Sequence, residues 1–310
     1  MKSGTITIGT RASKLALWQA EYIASALKEQ HSCTLGVLLH VTGRGEILDA
    51  PLAKIGGKGL FTKELEQAML SGEIDLAVHS LKDMPVEIPE GLVIGAITAR
   101  LDPGDAFVST HYASLEDLPQ GARVGTSSLR RRAQLLAVRP DLLLDDLRGN
   151  VNTRLEKLDA GEFDAIVLAA AGLKRLGLGA RIRSILPRAM MLPAVGQGAL
   201  AVECRADDTE ILSAVAFLRD ADMTAAAAAE RAFLRRVEGG CQIPVGVYAE
   251  MSEGGLLHVS AMIASVDGRR VCRSQMTGAP AQAAQMGDAL AGELLDAGGR
   301  DILKEIGITV

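Results

Sequence analysis

The chain has 310 residues, too many for one ordinary core, so two or three domains are expected, each burying enough apolar surface to fold. Apolar residues make up 48% and charged residues 23%, with one Trp, three Tyr, five Phe and a net charge of −5. So few aromatic side chains argue against a base-stacking platform for single-stranded nucleic acid, and the charge provides no basic field for DNA. No apolar stretch reaches membrane-spanning length.

The opening residues 1–10 run straight into an alternating strand without the apolar core of a signal peptide, so the cytosol is the expected compartment. Cys33, Cys204, Cys241 and Cys272 lie far apart, with no C-x-x-C pair and no nearby histidine cluster. Neither a metal site nor a redox dithiol is expected, and the thiols should be free.

An internal repeat organises the rest. Residues 6–15 and 123–129 both read as a strand, then Gly-Thr, then a serine placed to cap a helix. A second pair, Gly72-Glu-Ile-Asp and Gly161-Glu-Phe-Asp, follows amphipathic helices at 65–70 and 155–158. Each opens an apolar run suited to a strand buried on both faces of a mainly parallel sheet. Gly9 to Asp75 spans 66 positions and Gly125 to Asp164 only 39, so the first copy carries an insertion. It is expected in the glycine-rich stretch at about 42–60, a long loop of the lid kind. Gly57-Lys58 is followed by glycine instead of Ser or Thr, which excludes a P-loop.

After Leu192-Pro-Ala-Val-Gly-Gln-Gly, residues 199–202 are expected to return as a strand to the first lobe. An Ala-rich helix (223–237), three short strands (245–250, 256–260, 270–275) and a last helix near 281–297 follow. The expected fold class is α/β, with two similar lobes around a cleft and a small α+β C-terminal domain. The expected domains are 1–98 with 197–219, then 99–196, then 220–310.

Helix N-termini disfavour cations, yet three predicted helix starts collect them. Arg11 and Lys14 flank the Ser13 cap, and Arg130, Arg131 and Arg132 follow Ser127-Ser128. Arg148 and Arg154 bracket Gly149-Asn-Val-Asn, where Asn150 or Asn152 would cap the next helix. One such cluster would mean solvated arginines or pairs with Asp141, Asp145 and Asp146. Three at corresponding strand-to-helix turns describe a receptor for carboxylates or phosphates. Residues 99–196 hold 14 Lys and Arg against 11 Asp and Glu, so the second lobe is the cationic one.

His79-Ser-Leu-Lys-Asp-Met-Pro ends the predicted strand 74–78 and sets Ser80, Lys82 and Asp83 at its carboxyl end. Asp83 either caps a turn, pairs with Lys82, or stabilises positive charge arising on a ligand. His79 is read as a packed strand residue. Cys241, after two glycines and before Gln-Ile-Pro, is either a small buried hydrophobe or a thiol given room for something bulky.

Together these motifs resemble the porphobilinogen deaminase family. The resemblance runs through 10–19, 56–61, 78–85, 124–131, 147–154, 169–176, 192–198 and 238–244. It implies lobes like those of periplasmic binding proteins and a monomeric cytoplasmic transferase of haem biosynthesis, with no nucleic-acid or membrane partner. The implied reaction deaminates porphobilinogen and joins four units head to tail, releasing hydroxymethylbilane by hydrolysis. It also implies a dipyrromethane cofactor, one per chain, fixed to Cys241 by a thioether.

By the same resemblance Asp83 is catalytic. Ser80, Lys82, Asp83, Thr126, Ser128, Arg130 and Arg131 bind the cofactor. Arg11, Ser13, Gln19, Arg148, Arg154 and Arg175 bind substrate, with Lys58 and Gln197 as further lid or cleft residues. The stretch Gly43-Arg-Gly-Glu-Ile-Leu-Asp departs from the family, where many relatives have aspartate at or near Glu46. Two rivals remain on the residues alone: a non-catalytic ligand clamp and a phosphate-ester enzyme. The first has no use for Gly-Gly-Cys-Gln, and the second lacks metal carboxylates or a P-loop.

Overall fold

The computed structural model describes residues 5–31, 39–40, 62–237, 243–308 and 310. The expected lid, Lys58, Cys33 and Cys241 lie outside the described residues. The strands are β1 (Ile8–Thr10), β2 (Leu39–His40), β3 (Leu76–Ser80), β4 (Leu92–Ile97), β5 (Asp105–Val108), β6 (Arg123–Gly125), β7 (Leu143–Asp145), β8 (Ala165–Ala169), β9 (Ser184–Ile185), β10 (Leu200–Arg205), β11 (Val245–Met251), β12 (Leu257–Ala264) and β13 (Val271–Gly278). The helices are α1 (Lys14–His31), α2 (Lys63–Leu70), α3 (Leu129–Val138), α4 (Val151–Asp159), α5 (Ala170–Arg175), α6 (Thr209–Val215), α7 (Ala221–Arg236), α8 (Ala283–Leu294) and α9 (Arg300–Glu305). They fall into two compact units, Met1–Arg100 with Ala199–Met223, and Leu101–Gly198 with Thr224–Val310.

The sheet of the first unit has the order β2-β1-β3-β10-β4. β1 runs parallel to β2 and β3, and β10 is antiparallel to both β3 and β4. The return strand expected at 199–202 is therefore β10. Leu76, Val78, Val202 and Cys204 pack on one face with Ile23 and Leu27 of α1, while Ala77 packs on the other with Leu65 and Met69 of α2. Fully burying Ile23 and Leu27 is favourable by about 1.5–3 kcal/mol each.

β3 begins two residues later than the apolar run suggests. The reason is local: the Ile74 amide donates to Ala68 O at 3.2 Å, closing the turn after α2, and is lost to the ladder. The strand then runs on to Ser80, and residues Leu81–Asp83 form one 3-10 turn closed by Met84 N to Leu81 O at 3.2 Å.

In the second unit a five-stranded sheet has the corresponding order β7-β6-β8-β5-β9. β6 is parallel to β7 and β8, and β5 is antiparallel to β8 and β9. The repeat in the sequence is thus a repeat of topology. Phe107, Val124, Val167 and Leu135 fill one side of this sheet, and Val108, Ile166, Leu168 and Leu173 the other.

The same unit holds the antiparallel meander β11-β12-β13, with α7 and α8. Two glycines permit close approach here. A Cβ on Gly287 of α8 would lie 2.0 Å from Ala229 O of α7, and one on Gly268, at φ +71°, would lie 2.4 Å from Ala137 N of α3. The 268 turn therefore seats on α3, where Ala133, Leu192, Tyr248, Met262 and Ala264 form a shared buried cluster. The predicted last helix is α8, which kinks at Gly298 (φ +109°) before α9. No helix among the described residues is long and apolar enough to cross a membrane.

Candidate functional site

In open α/β sheets, ligands meet the carboxyl ends of parallel strands. In the first unit those are the ends of β1 and β3, neighbours in the sheet. Arg11 follows β1 and is exposed. Ser13 caps α1, its Oγ accepting from Ala16 N at 3.2 Å. Gln19, buried on α1, donates from Nε2 to Ser80 Oγ at 2.8 Å, which fixes the helix to the last residue of β3. Half-buried Lys82 and exposed Asp83 sit on the 3-10 turn that follows. Arg11, Ser13, Gln19, Ser80, Lys82 and Asp83 are thus gathered at one sheet edge.

His79 is buried, as expected of a packed strand residue, with Nε2 3.0 Å from Glu203 Oε2. Glu203 on β10 is fully buried, and its Oε1 has no hydrogen-bond partner.

The corresponding edge of the second unit lies at the ends of β6, β7 and β8. Thr126 is buried just after β6, and its Oγ1 accepts from Ser128 N at 3.3 Å. Ser128 caps α3 through Arg131 N at 3.4 Å. Of the two candidate asparagines, Asn150 caps α4, accepting from Thr153 N at 3.0 Å. Arg154 Nε donates to Gly149 O at 2.8 Å, and Arg148 lies 3.7 Å from Asp146. Buried Arg175 donates from Nη2 to Gly198 O at 2.7 Å. Gln197, 1% exposed, donates from Nε2 to Pro103 O at 2.7 Å.

Arg130 and Arg131 meet neither solvent nor the nearby aspartates that the alternative reading offered them. Asp141 and Asp145 pair instead with Arg139 at 2.8 Å and Arg123 at 3.0 Å. The guanidiniums of Arg130 and Arg131 are both buried and converge on Asp105, itself fully buried, at 2.6 and 2.7 Å. Burial pushes the Asp105 carboxyl up, but Arg130 and Arg131 more than reverse this and hold it well below the usual carboxylate range. Two cations in the first turn of a helix are tolerable because this carboxylate lies beside them.

Sequence reasoning missed Asp105 and Glu230. Glu230 of α7 is fully buried and accepts from Gly196 N at 2.6 Å and Ala249 N at 2.9 Å, so it holds the loop that carries Gln197. Both stand as lone carboxylates in apolar runs (Asp-Ala-Phe-Val and Ala-Ala-Ala-Glu-Arg-Ala-Phe). That is the available signal, because such groups are seldom buried unless paired. Cys204 is buried beside Gly95, and burial first, then Asp208 and Glu203, pushes its thiol up to about 11. Cys272 is half-buried.

A protein-family model described as porphobilinogen deaminase, dipyromethane cofactor binding domain, matches residues 6–213. A second, porphobilinogen deaminase, C-terminal domain, matches residues 224–296. Among solved structures, a nutrient binding protein from Burkholderia cenocepacia bound to methionine is 15% identical, covering 68% of this chain and 90% of that one with a TM-score of 0.44. A periplasmic substrate-binding protein of an ABC transporter from Coxiella burnetii is 13% identical, covering 69% and 92%, also with a TM-score of 0.44. Likeness at that level carries no argument about ligand or chemistry.

Proposed function

Because two family models together match most of its length, this chain belongs to the porphobilinogen deaminase family, and we propose that it is a hydroxymethylbilane synthase. Family membership supports a transferase of porphyrin biosynthesis with a dipyrromethane cofactor and porphobilinogen as substrate. The finer reading is a reaction that deaminates four porphobilinogen units, joins them head to tail and hydrolyses off the linear product.

The observation that carries this reading is the repeated sheet edge. Both units set helix N-termini and cationic side chains at the carboxyl ends of their parallel strands, and in the first unit an exposed carboxylate, Asp83, stands among them. Each pyrrole brings two carboxylates, so a growing chain needs many exchangeable anion contacts, and arginine offers them in a fixed fork.

The residues present suit a polyacidic cofactor. Ser80, Lys82, Thr126, Ser128, Arg130 and Arg131 would hold its acidic arms. The buried trio of Asp105, Arg130 and Arg131 carries one net positive charge for that purpose. When bound, the dipyrromethane supplies the nucleophilic pyrrole carbon to which substrate is joined. Cys241 would be its anchor: sulfur is a good nucleophile toward a soft carbocation, and a thioether resists hydrolysis.

Arg11, Ser13, Gln19, Arg148, Arg154 and Arg175 would bind substrate and product carboxylates. Ser13 and Gln19 also set the geometry, through the α1 cap and the Ser80 bond. Asp83 would protonate the departing amine and hold the positive charge left on the substrate. Lys58 and Gln197 are assigned as lid and supporting residues. We further propose three functional parts, at 1–98 with 197–219, 99–196 and 220–310, in a monomeric cytoplasmic enzyme.

Incubating the cofactor-loaded protein with porphobilinogen should release one ammonia per unit consumed and yield a linear tetrapyrrole. Loaded protein that consumes porphobilinogen without releasing ammonia would contradict the assignment.

A further inference from the structure

We propose that Asp105 is the positioning residue of the anion-binding group in the second unit. Its carboxylate holds Arg130 and Arg131 side by side before any ligand arrives, and leaves the group one positive charge in excess to match one ligand carboxylate. Only the identity of that ligand rests on the function proposed above.

Asp105 opens β5 directly opposite Ala169, the last residue of β8, so it sits under the edge from which α3 and α5 emerge. Its Oδ2 accepts from Arg130 Nη1 at 2.6 Å. Its Oδ1 accepts from Arg131 Nε at 2.9 Å, Arg131 Nη2 at 2.7 Å and Gln197 Nε2 at 3.1 Å. Each guanidinium is pinned a second time by a main-chain carbonyl, Arg130 by Leu192 O at 2.6 Å and Arg131 by Val167 O at 2.9 Å.

These bonds, with a longer one from Arg130 Nη2 to Oδ1 at 3.3 Å, use three of the five N–H donors of each arginine. Both therefore keep donor capacity in a dry setting, where charge-assisted bonds are strong. Asp102, three residues upstream, is paired with Lys174 at 2.6 Å and does not neutralise the excess.

Two expectations for Asp105→Asn now oppose each other in sign. Counting charge alone, the group passes from one to two positive charges and should take anions more readily. If Asp105 positions the arginines, its loss leaves two buried guanidiniums repelling each other, their forks turn away, and anion capture weakens despite the added charge.

The test uses the full-length chain, made without cofactor and titrated with porphobilinogen, with the covalent adduct read by intact mass. At a fixed incubation time, the concentration giving half-maximal loading should rise at least about tenfold in D105N and return to within about threefold in D105E. A folded D105N that loads at the wild-type concentration or below overturns the proposal. If D105N does not fold, D105N/R131Q restores the single net charge and should still load at least about tenfold more weakly; wild-type loading by that double variant overturns it equally.

A readout that needs no ligand separates this claim from the proposed function. The Arg131 Nε–H resonance should exchange slowly with solvent in the wild type and rapidly in D105N. If the wild type takes up no pyrrole adduct, the functional reading fails, while slow exchange retained in D105N would sink the positioning claim on its own.

Discussion

Replacing Glu230 with alanine should loosen the second unit more than almost any other single change. The side chain is fully buried on α7 and gives one carboxylate oxygen each to Gly196 N at 2.6 Å and Ala249 N at 2.9 Å. Truncation leaves two buried N–H groups without that acceptor, at about 1–3 kcal/mol each, and the space vacated adds about 1 kcal/mol. The sum, about 3–7 kcal/mol, is a large fraction of the 5–15 kcal/mol (roughly) by which domains are stable. Glu230→Gln keeps one acceptor and turns a second donor toward an N–H, so it should lose about 1–3 kcal/mol. Urea unfolding followed by circular dichroism should rank wild type above E230Q above E230A. Hydrogen exchange should show the Gly196 and Ala249 amides losing protection first. An E230A midpoint equal to wild type, or undiminished protection at both amides, would refute the reasoning.

Asp83→Asn, which keeps the size of an exposed side chain, should still bind porphobilinogen but lose about 10²-fold or more of turnover. Near-normal turnover would remove Asp83 from its role. Gly287→Val should destabilise by about 2 kcal/mol or more, because even its Cβ would lie 2.0 Å from Ala229 O, backbone that cannot swing aside; a thermal scan at wild-type midpoint would count against that contact. The Cys204 thiol, buried and pushed up to about 11, should resist iodoacetamide near neutral pH in the folded protein and react only after denaturation. Asp105 titrates below its ordinary value of 3.8 when folded, so its contribution to stability is complete above about pH 4 and is lost as the pH falls further. D105N should therefore flatten the acid limb of the stability curve, and an acid limb as steep as wild type would contradict the ion-pair assignment.

The repeat of Gly-Thr with a serine cap, and of Gly-Glu-x-Asp before an apolar run, was enough to foresee two sheets of one topology. Each signal is local: a cap bonds three residues ahead, and a strand buried on both faces shows itself as a run of apolar residues. The Ser13 cap is legible for the same reason, and the sequence narrows the other two to Ser127-Ser128 and to Asn150 or Asn152, of which Ser128 and Asn150 serve.

The partners of the arginines were not legible. Arg130 and Arg131 meet Asp105, 25 and 26 residues away, because β5 and β8 pair antiparallel, and that register is a tertiary fact. Asp141 and Asp145, nearer in sequence, serve Arg139 and Arg123. Likewise the start of β3 depended on whether the Ile74 amide closed a turn or joined a ladder, which an apolar run does not encode. The roles of Cys241 and Asp83 came from the resemblance, since a cysteine between glycines and glutamine is compatible with several fates.

In the proposed function Cys241 carries a two-pyrrole primer. Intact mass of the protein folded in the presence of porphobilinogen, followed by peptide mapping, tests it directly. The expected result is a covalent adduct of two pyrrole units confined to the peptide holding Cys241 and absent from Cys241→Ser. A native mass equal to the bare chain, or an adduct on any other residue, would contradict it.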